Sequence, residues 1–258
     1  MKAPCPLLTP LALGGLLALA TPAQAQSSAK GTILIKEDFE GGPDRKDPKL
    51  WGGGPSWNIP ETWEVRNGAI ACIYDPKAHP ERLHAKSLDA KFSAHNVRIS
   101  YRIRFEAEGS GVGMCLNAVF PSRSKNPLWH IGPVDVRAAK PTAKNDVSIY
   151  EWDFTRDPNH PALAGKKLDP KVLEKPEGSL GSVYSIPGGS ATAKVGIVPG
   201  KWYQFVFESV GTQWTLWVDG KETLKLNLKR ADCEKETINF LGSGPLLIDD
   251  IVVEALPR

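Results

Sequence analysis

The sequence predicts an all-β protein built from two facing antiparallel sheets. Apolar and polar residues alternate with a period of two, most clearly from Val97 to Phe105, where every odd-numbered residue is apolar and every even-numbered one is polar. Helical periodicity is nearly absent, and 24 Gly and 22 Pro interrupt the 258 residues at the intervals that short strands require. Strand after strand without intervening helices is typical of a sandwich or a barrel.

The clearest local element is a hairpin near the C-terminus. Alternating residues lead up to Asp219-Gly220 and continue after it. Asp-Gly between two alternating runs predicts a two-residue turn, because both turn residues must adopt positive φ. Between Pro161 and Lys175 the prolines leave room for only a turn or two of helix. The other predicted strands are Thr32–Lys36, Thr62–Val65, Ala69–Ile73, Val97–Phe105, Gly113–Phe120, Val147–Phe154, Tyr203–Phe207, Glu236–Leu241 and Leu246–Val253.

The first 25 residues have the pattern of an export signal. Lys2 supplies a positive charge, residues 7–20 are mostly apolar, and Ala25 ends a small-x-small cleavage pattern. The apolar run is shorter than the ~20 residues of a membrane span. We therefore expect a cleaved signal peptide at 1–25 and a secreted or periplasmic protein without membrane insertion. The mature chain, 26–258, is expected to be one domain with a loop-rich insertion around 121–200.

Charge and cysteine content exclude several classes of function. The net charge is +3 and opposite charges are interspersed, which argues against binding to nucleic acid or a membrane surface. Beyond the signal, three cysteines allow at most one disulfide within the chain, and buried free thiols are the simpler expectation. Their spacing fits no zinc site. These cysteines are Cys72, Cys115 and Cys233.

Several motifs resemble those of concanavalin A-like domains. Residues 199–203 and 211–221 resemble the G-K-W-y and V-D-G signature of laminin-G-like and concanavalin A-like lectin and glucanase domains. Residues 63–70 resemble the W-x-V-x-d-G-x-L motif near the start of bacterial 3-keto-disaccharide hydrolase domains. Residues 37–42 and 247–251 resemble segments of MAM-like and carbohydrate-binding sandwiches. The resemblance implies a two-sheet jelly roll, a fold that hosts lectins, hydrolases, lyases and adhesion modules.

Glu151-Trp152-Asp153 is the candidate catalytic motif. Carboxylates at i and i+2 of a strand lie on one face, where two close groups can assume different pKa values. The strand motif of family 16 glycoside hydrolases is E-x-D-x-x-E, and by that resemblance Glu151 would be the nucleophile. Arg156 stands where the acid/base residue would be. The 3-keto-disaccharide hydrolase domains carry acidic residues on a comparable strand, which Glu151 and Asp153 could match. Exposed charges at a strand edge are the alternative.

Tryptophan is more abundant than a core of this size requires. Sugar recognition needs flat rings that stack on the C–H faces of pyranoses, with polar groups nearby. Trp217 falls on the more polar face of its strand, and other tryptophans lie in predicted loops. Packing under long loops is the alternative for each of them. The predicted carbohydrate-binding residues are Trp57, Trp129, His130, Trp152 and Trp217.

Asp249-Asp250 interrupts the alternation of the last strand, so that one carboxylate is predicted to point inward and to need a partner. By resemblance to MAM-like sandwiches, Asp38 or Glu40 would meet Asp249 or Asp250 and hold a structural Ca²⁺. A hydrogen bond to the backbone at the sandwich edge is the alternative. No other cofactor is required.

These observations favour a lectin-like protein that binds an extracellular or periplasmic poly- or oligosaccharide without catalysis, because the excess of tryptophan accompanies an incomplete acid–base pair. The first alternative is an enzyme of the 3-keto-disaccharide hydrolase or family 16 type that uses Glu151 and Asp153. The second alternative is a protein-binding adhesion module of the laminin-G type.

Overall fold

The computed structural model describes residues 30–40, 57, 59–79, 84–116, 128–137, 146–174, 184–228 and 231–258. Most of these residues lie in strands, and the rest form turns and two short 3₁₀ turns. The strands, in chain order, are β1 (Thr32–Glu37), β2 (Trp63–Arg66), β3 (Ala69–Cys72), β4 (Leu88–Ala94), β5 (Asn96–Phe105), β6 (Gly111–Leu116), β7 (Leu128–Arg137), β8 (Val147–Thr155), β9 (Tyr184–Ala193), β10 (Trp202–Val210), β11 (Gln213–Val218), β12 (Lys221–Asn227), β13 (Lys235–Ser243) and β14 (Leu246–Leu256).

The strands form two antiparallel sheets. Eight strands make one sheet in the order β12-β11-β10-β5-β14-β3-β2, with β1 also paired to β14. Six strands make the other sheet in the order β4-β13-β6-β7-β8-β9. A single large apolar cluster draws residues from both sheets, so the sheets pack face to face. The predicted all-β, two-sheet jelly-roll sandwich is confirmed.

The core follows the alternation seen in the sequence. All five odd-numbered residues of β5 from Val97 to Phe105 are fully buried, whereas the even-numbered ones are partly exposed. Tyr101 stacks on Phe205 with ring centroids 5.5 Å apart and meets the edge of Phe240 at 5.3 Å. Burial of these rings joins β5 and β10 of the eight-stranded sheet to β13 of the six-stranded sheet.

The predicted C-terminal hairpin is confirmed in detail. Asp219 and Gly220 have φ of 49° and 76° and form the two-residue connection between β11 and β12. Asp219 Oδ1 accepts a hydrogen bond from the backbone N–H of Gln204 at 2.9 Å, and its Oδ2 lies 3.1 Å from Lys201 Nζ. The V-D-G and G-K-W-y motifs therefore hold each other in place and are structural.

Three strands were not predicted from the sequence, namely β4, β7 and β9. β7 contains Pro133, and β9 contains Pro187-Gly188-Gly189, residues that usually mark loops. β9 tolerates its proline because it is an edge strand, and its pairing with β8 is irregular at this point. The stretch around 121–200 is therefore built on β7, β8 and β9. The expected helical turns are 3₁₀ turns at Pro161–Leu163 and Pro170–Val172.

No helix in the described ranges is long and apolar enough to cross a membrane. Residues 1–29, which include the predicted signal peptide, lie outside the described residues. Cys72, Cys115 and Cys233 are free thiols; Cys72 and Cys115 are buried, as expected, whereas Cys233 is half-buried. Burial raises the pKa of Cys72 to about 11, so that this thiol stays protonated and unreactive at neutral pH.

A buried carboxylate fixes the loop that follows β9. The Asp146 side chain is fully buried and accepts backbone hydrogen bonds from Val195, Gly196 and Ile197 at 2.7–2.8 Å. Lys194 Nζ lies 3.3 Å from the same carboxylate. Burial alone would raise the pKa of Asp146, but these donors stabilise the charged form and lower the pKa below its ordinary value of 3.8.

We expect Asp146→Asn to lower the free energy of unfolding by about 1–3 kcal/mol at neutral pH, because an amide replaces a charged acceptor. A lowered pKa in the folded state stabilises the protein above the unfolded-state pKa, and this stabilisation is lost as pH falls through the folded-state pKa. Urea unfolding between about pH 7 and about pH 3 should therefore show the wild type and the variant converging. Asp75→Asn, at an exposed turn, is the control. A pH-independent difference would contradict this role.

Candidate functional site

The six-stranded sheet has one face against the core and a second face away from it, here called the open face. On β8, Val147 and Ile149 are 1% and 0% exposed and belong to the core. The residues between and after them, Ser148 and Tyr150, are half-buried on the open face. The open face is thus the surface of this sheet that lies away from the main core, although some of its residues, such as Phe154 and Asn239, are themselves buried.

Strand register pairs aromatic positions of β7 and β8. Trp152 and Phe154 continue the alternation of Tyr150 along β8, and Phe154 is 7% exposed. On β7, Trp129 is the register partner of Phe154 and Ile131 is the partner of Trp152. Directly opposed residues of paired strands share a face. Two predicted sugar-binding tryptophans, Trp129 and Trp152, therefore occupy neighbouring strands of one face. We call the positions of Trp129, Tyr150, Trp152 and Phe154 the aromatic half.

Polar residues occupy the other side of the same face. Asn239 of β13 is opposite Asp89 of β4 and opposite Cys115 of β6. Its side chain is 7% exposed, and both of its neighbours along β13 are fully buried in the core. Asn239 Nδ2 donates to Ser87 Oγ at 2.9 Å, and Thr237 Oγ1 donates to Asn239 Oδ1 at 3.4 Å. We call Ser87, Asp89, Thr237 and Asn239 the polar half.

The two halves are separated by β6 and β7. Because neighbouring strands lie roughly 4.8 Å apart, β13 and β8 are about 14 Å apart. Aromatic rings can stack on the C–H faces of a sugar, and amide, hydroxyl and carboxylate groups can bind its hydroxyls. The positions on this face therefore carry, by sequence, both aromatic and polar residue types, the two kinds that glycan recognition uses.

Sequence reasoning missed the polar half. Asp89 lies on β4, where apolar residues at Leu88 and Ala90 alternate with polar ones, a signal for a half-buried strand. Asn239 stands between Ile238 and Phe240 in a strand that was predicted. A single amide between two apolar residues was the available signal for an open-face position.

The predicted catalytic carboxylates lie on the opposite face of the sheet. Glu151 follows the alternation of Ile149, and its side chain is 3% exposed. Asp153 is the register partner of His130 on β7 and of Ile186 on β9, and Ile186 belongs to a small apolar cluster packed with residues 163–173. Glu151 thus lies on the covered face, whereas the side chain of Asp153 lies outside the described residues. Glu151 is therefore not an exposed strand-edge charge and does not adjoin the aromatic half.

The remaining predicted tryptophans occupy two other places. Trp57 is 5% exposed and packs in the core, with its ring centroid 6.2 Å from that of Phe240. The expectation that Trp57 is a surface platform is wrong, because the core covers its ring. Trp217 is half-buried and pairs with Val206 on the eight-stranded sheet, on the side away from the core. Trp217 is thus separated from the aromatic half by the whole sandwich.

An irregularity in β14 determines where its two adjacent carboxylates are placed. The register with β5 shifts between Asp249 and Val252, and Asp250 has φ of 50°, as in a β-bulge. Both carboxylates consequently meet one guanidinium: Arg102 Nη2 lies 2.5 Å from Asp249 and Arg102 Nε lies 2.7 Å from Asp250. Burial raises the pKa of Asp249, and Arg102 opposes this shift. Asp249 is 6% exposed and Asp250 is exposed, so one of the two carboxylates is buried, and Arg102 is its partner.

The other two predicted calcium ligands have local roles. Asp38 Oδ1 accepts the backbone N–H of Glu40 at 3.1 Å. The Glu40 carboxylate lies against the turn between β2 and β3, where a Cβ on Gly68 would be 2.8 Å from Glu40 Oε1. Among the residues whose placement is described, no three His, Cys, Asp or Glu side chains gather as a metal site. Arg102 lies beside Asp249 and Asp250, and a structural Ca²⁺ at these residues stays a prediction.

We expect Arg102→Met to lower the free energy of unfolding by about 1–2 kcal/mol, since two carboxylates lose their counter-charge. A calcium chelator should leave the melting temperature of the wild type unchanged, because Arg102 already neutralises Asp249 and Asp250. Arg66→Met is the control, because Arg66 pairs with Glu64 on an exposed surface. A chelator that lowers the melting temperature would contradict this expectation and support a bound Ca²⁺.

Comparison with known structures supports the same architecture. The κ-carrageenase of Pseudoalteromonas carrageenovora, solved with an oligotetrasaccharide of κ-carrageenan, is 10% identical with a TM-score of 0.56, over 92% of this chain and 99% of that chain. The β-porphyranase BpGH16B of Bacteroides plebeius is 11% identical with a TM-score of 0.53, over 91% of this chain and 94% of that chain. At such identities the likeness shows the fold.

A comparison with curated protein sequences finds no match. The family described as the 3-keto-alpha-glucoside-1,2-lyase-like domain matches residues 38–250, from the end of β1 to the bulge of β14. The match confirms the resemblance to 3-keto-disaccharide hydrolase domains and spans most of the chain. This protein therefore belongs to the family of 3-keto-alpha-glucoside-1,2-lyase-like domains.

Proposed function

We propose that this protein binds an oligosaccharide on the open face of its six-stranded sheet, outside the cytoplasm. The observation that carries the proposal is the register of β7 and β8, which assigns Trp129 and Trp152 to the same face as the half-buried Tyr150. Residues of that face do not serve the core, so aromatic residues there require another reason. A pyranose offers such rings its apolar C–H faces.

The surroundings of these aromatic residues support a neutral or weakly charged glycan. The net charge of +3 is small for a chain of this size, and no basic stripe marks the described part of the open face. Amide and hydroxyl groups of the polar half supply hydrogen-bond donors and acceptors. The κ-carrageenase of the same fold was solved with an oligosaccharide, which makes a glycan the natural ligand class to test.

The test is isothermal titration against maltose, cellobiose, laminaribiose and a κ-carrageenan tetrasaccharide. We expect Trp152→Ala and Trp129→Ala each to weaken the best wild-type ligand at least tenfold, about 1.4 kcal/mol, because a stacking platform is lost. Trp217→Ala, on the opposite sheet, is the matched control and should bind like the wild type. The proposal fails if the wild type binds none of these glycans, or if only Trp217→Ala weakens binding.

A second candidate function is elimination from 3-keto-glucosides, and the family match favours it. A carbonyl at C3 acidifies the hydrogen on C2, so a base can remove that proton. The electron pair of the C–H bond then forms a C1–C2 double bond, the bond from C1 to the glycosidic oxygen breaks, and the departing oxygen takes up a proton. Asp89, a half-buried carboxylate of the open face, is the candidate base, whereas Glu151 lies on the covered face.

Product release from 3-keto-maltose and from unoxidised maltose distinguishes binding from catalysis. An enzyme of this type should act on the oxidised sugar only, and Asp89→Asn should slow it at least 100-fold, as expected for loss of a general base. Glu151→Gln should retain activity if it folds, as judged by its melting temperature. No turnover of either sugar leaves a binding protein. If Glu151→Gln folds but is inactive while Asp89→Asn stays active, then Glu151 and not Asp89 is the catalytic base.

The adhesion-module alternative has no comparable support. In the described part of the chain, the large apolar side chains that are well exposed are Ile33, Ile73, Val198 and Val210. They lie on four separate segments, and single exposed apolar residues are normal on a soluble protein. Scattered residues of this kind do not form the contiguous patch that a protein-binding module would present.

A further inference from the structure

We propose that the backbone of residues 195–197, in the connection between β9 and β10, is a binding nest for a small carboxylate, and that the side chain of Asp146 is its tethered ligand. The bond between nest and ligand acts as a latch on the connection that joins the six-stranded sheet to the eight-stranded sheet. This inference is independent of the proposed glycan site, because none of its residues belongs to the aromatic half or the polar half.

Three successive backbone N–H groups meet at one carboxylate. Val195 donates to Asp146 Oδ1 at 2.7 Å, and Gly196 and Ile197 both donate to Oδ2 at 2.8 Å. Lys194 Nζ lies 3.3 Å from Oδ2 and adds a positive charge. Successive N–H groups that converge in a turn form a concave anion site, and hydrogen bonds to a charged acceptor are the stronger kind. The connection therefore presents the donors that a carboxylate ligand needs.

The backbone conformation at Gly196 shapes the nest. Gly196 has φ of 85°, in the left-handed region, whereas Val195 and Ile197 on either side keep negative φ. A change of hand between neighbouring residues turns their N–H groups toward one point. A Cβ at Gly196 would meet no atom within 4 Å. Glycine is therefore needed at this position for its φ and not for space.

The latch is the first of three contacts that fasten the connection. Asp146, which immediately precedes β8, holds its beginning. Further along, the N–H of Val198 donates to Tyr203 Oη of β10 at 2.9 Å. The N–H of Gly200 then donates to the carbonyl oxygen of Phe105, at the end of β5, at 2.8 Å. Without the carboxylate, the part of the connection nearest the six-stranded sheet loses its attachment.

The nest is expected to accept a free ion when the tethered carboxylate is removed. The Asp146 side chain is fully buried, and so is Ile197, whose N–H bonds it. Buried donors without an acceptor are costly, so their demand for an anion remains after truncation. Gly196 is exposed, so that solvent ions reach the loop. Asp146→Ala deletes a group of the size of formate, and Asp146→Gly deletes one of the size of acetate.

The experiment measures the melting temperature of Asp146→Ala in sodium formate and in sodium chloride of equal ionic strength. In chloride the variant should melt below the wild type. Formate should raise its melting temperature saturably, by about 3–6 °C at roughly ten times the dissociation constant. Asp146→Gly should respond more strongly to acetate than to formate. The wild type and Asp75→Ala, which loses one hydrogen bond at an exposed turn, should show no saturable difference between the salts.

Hydrogen exchange shows whether the ion occupies the nest. The amides of Val195, Gly196 and Ile197 should exchange at least about tenfold faster in Asp146→Ala than in the wild type, and formate should restore their protection. The amide of Gly211, which bonds Asn96 Oδ1 at another connection, is the internal control. Its exchange should be the same in both proteins and both salts. A general salt effect would instead slow all amides alike.

A pair of glycines separates the nest from ordinary backbone strain. Gly196 and Gly165 have φ of 85° and 75°, and a Cβ at either meets no atom within 4 Å. Replacement of either by alanine therefore carries a similar cost. Introduced into Asp146→Ala, Gly196→Ala should weaken formate binding about threefold to tenfold, because it distorts the nest. Gly165→Ala should leave the dissociation constant of formate unchanged.

Two results would overturn the inference. One is a formate response of Asp146→Ala no larger than that in chloride, and the other is a formate response without protection of the three amides. If Asp146→Ala folds in neither salt, Asp146→Asn provides the test, because it keeps the shape and lacks the charge. Its three amides should exchange at least about tenfold faster than those of the wild type. Wild-type protection in Asp146→Asn would then show that the carboxylate is not the latch.

Discussion

The strict alternation of side chains along the strands of the six-stranded sheet is the constraint on which the site depends. Burial of Val147 and Ile149 fixes the register of β8, because a slip of one residue would turn every side chain to the other face. This register puts Glu151 on the covered face and assigns the positions of Tyr150 and Trp152 to the open face. On β13, burial of the residues on either side of Asn239 brings its amide to the same open face in the same way.

The motifs that carry the family resemblance turn out to stabilise the fold. The Asp219 turn bonds Gln204 and Lys201, and the Asp249-Asp250 bulge neutralises Arg102. These contacts tie together strands of the eight-stranded sheet, which lies on the far side of the sandwich from the proposed site. Because such contacts serve any chain of this fold, they identify the architecture and leave the ligand to be inferred from the open face.

The fold was largely predictable from the sequence, and the site was only partly so. Strands with strict alternation, such as β5 and the final hairpin, were predicted. β7 and β9 were not predicted, because they contain proline and glycine, residues that usually mark loops. Alternation alone showed that Glu151 and Trp152 face opposite ways, but only packing against the second sheet decided which of them is covered. Likewise, no local signal distinguished the core residue Trp57 from a surface platform.

A crystal structure of the protein with its best-binding disaccharide tests the central claim most directly. We expect density for the sugar on the open face of the six-stranded sheet, beside Tyr150 of β8. A sugar bound on the eight-stranded sheet beside Trp217, or in a cavity at Glu151, would contradict the assignment of the ligand to the open face.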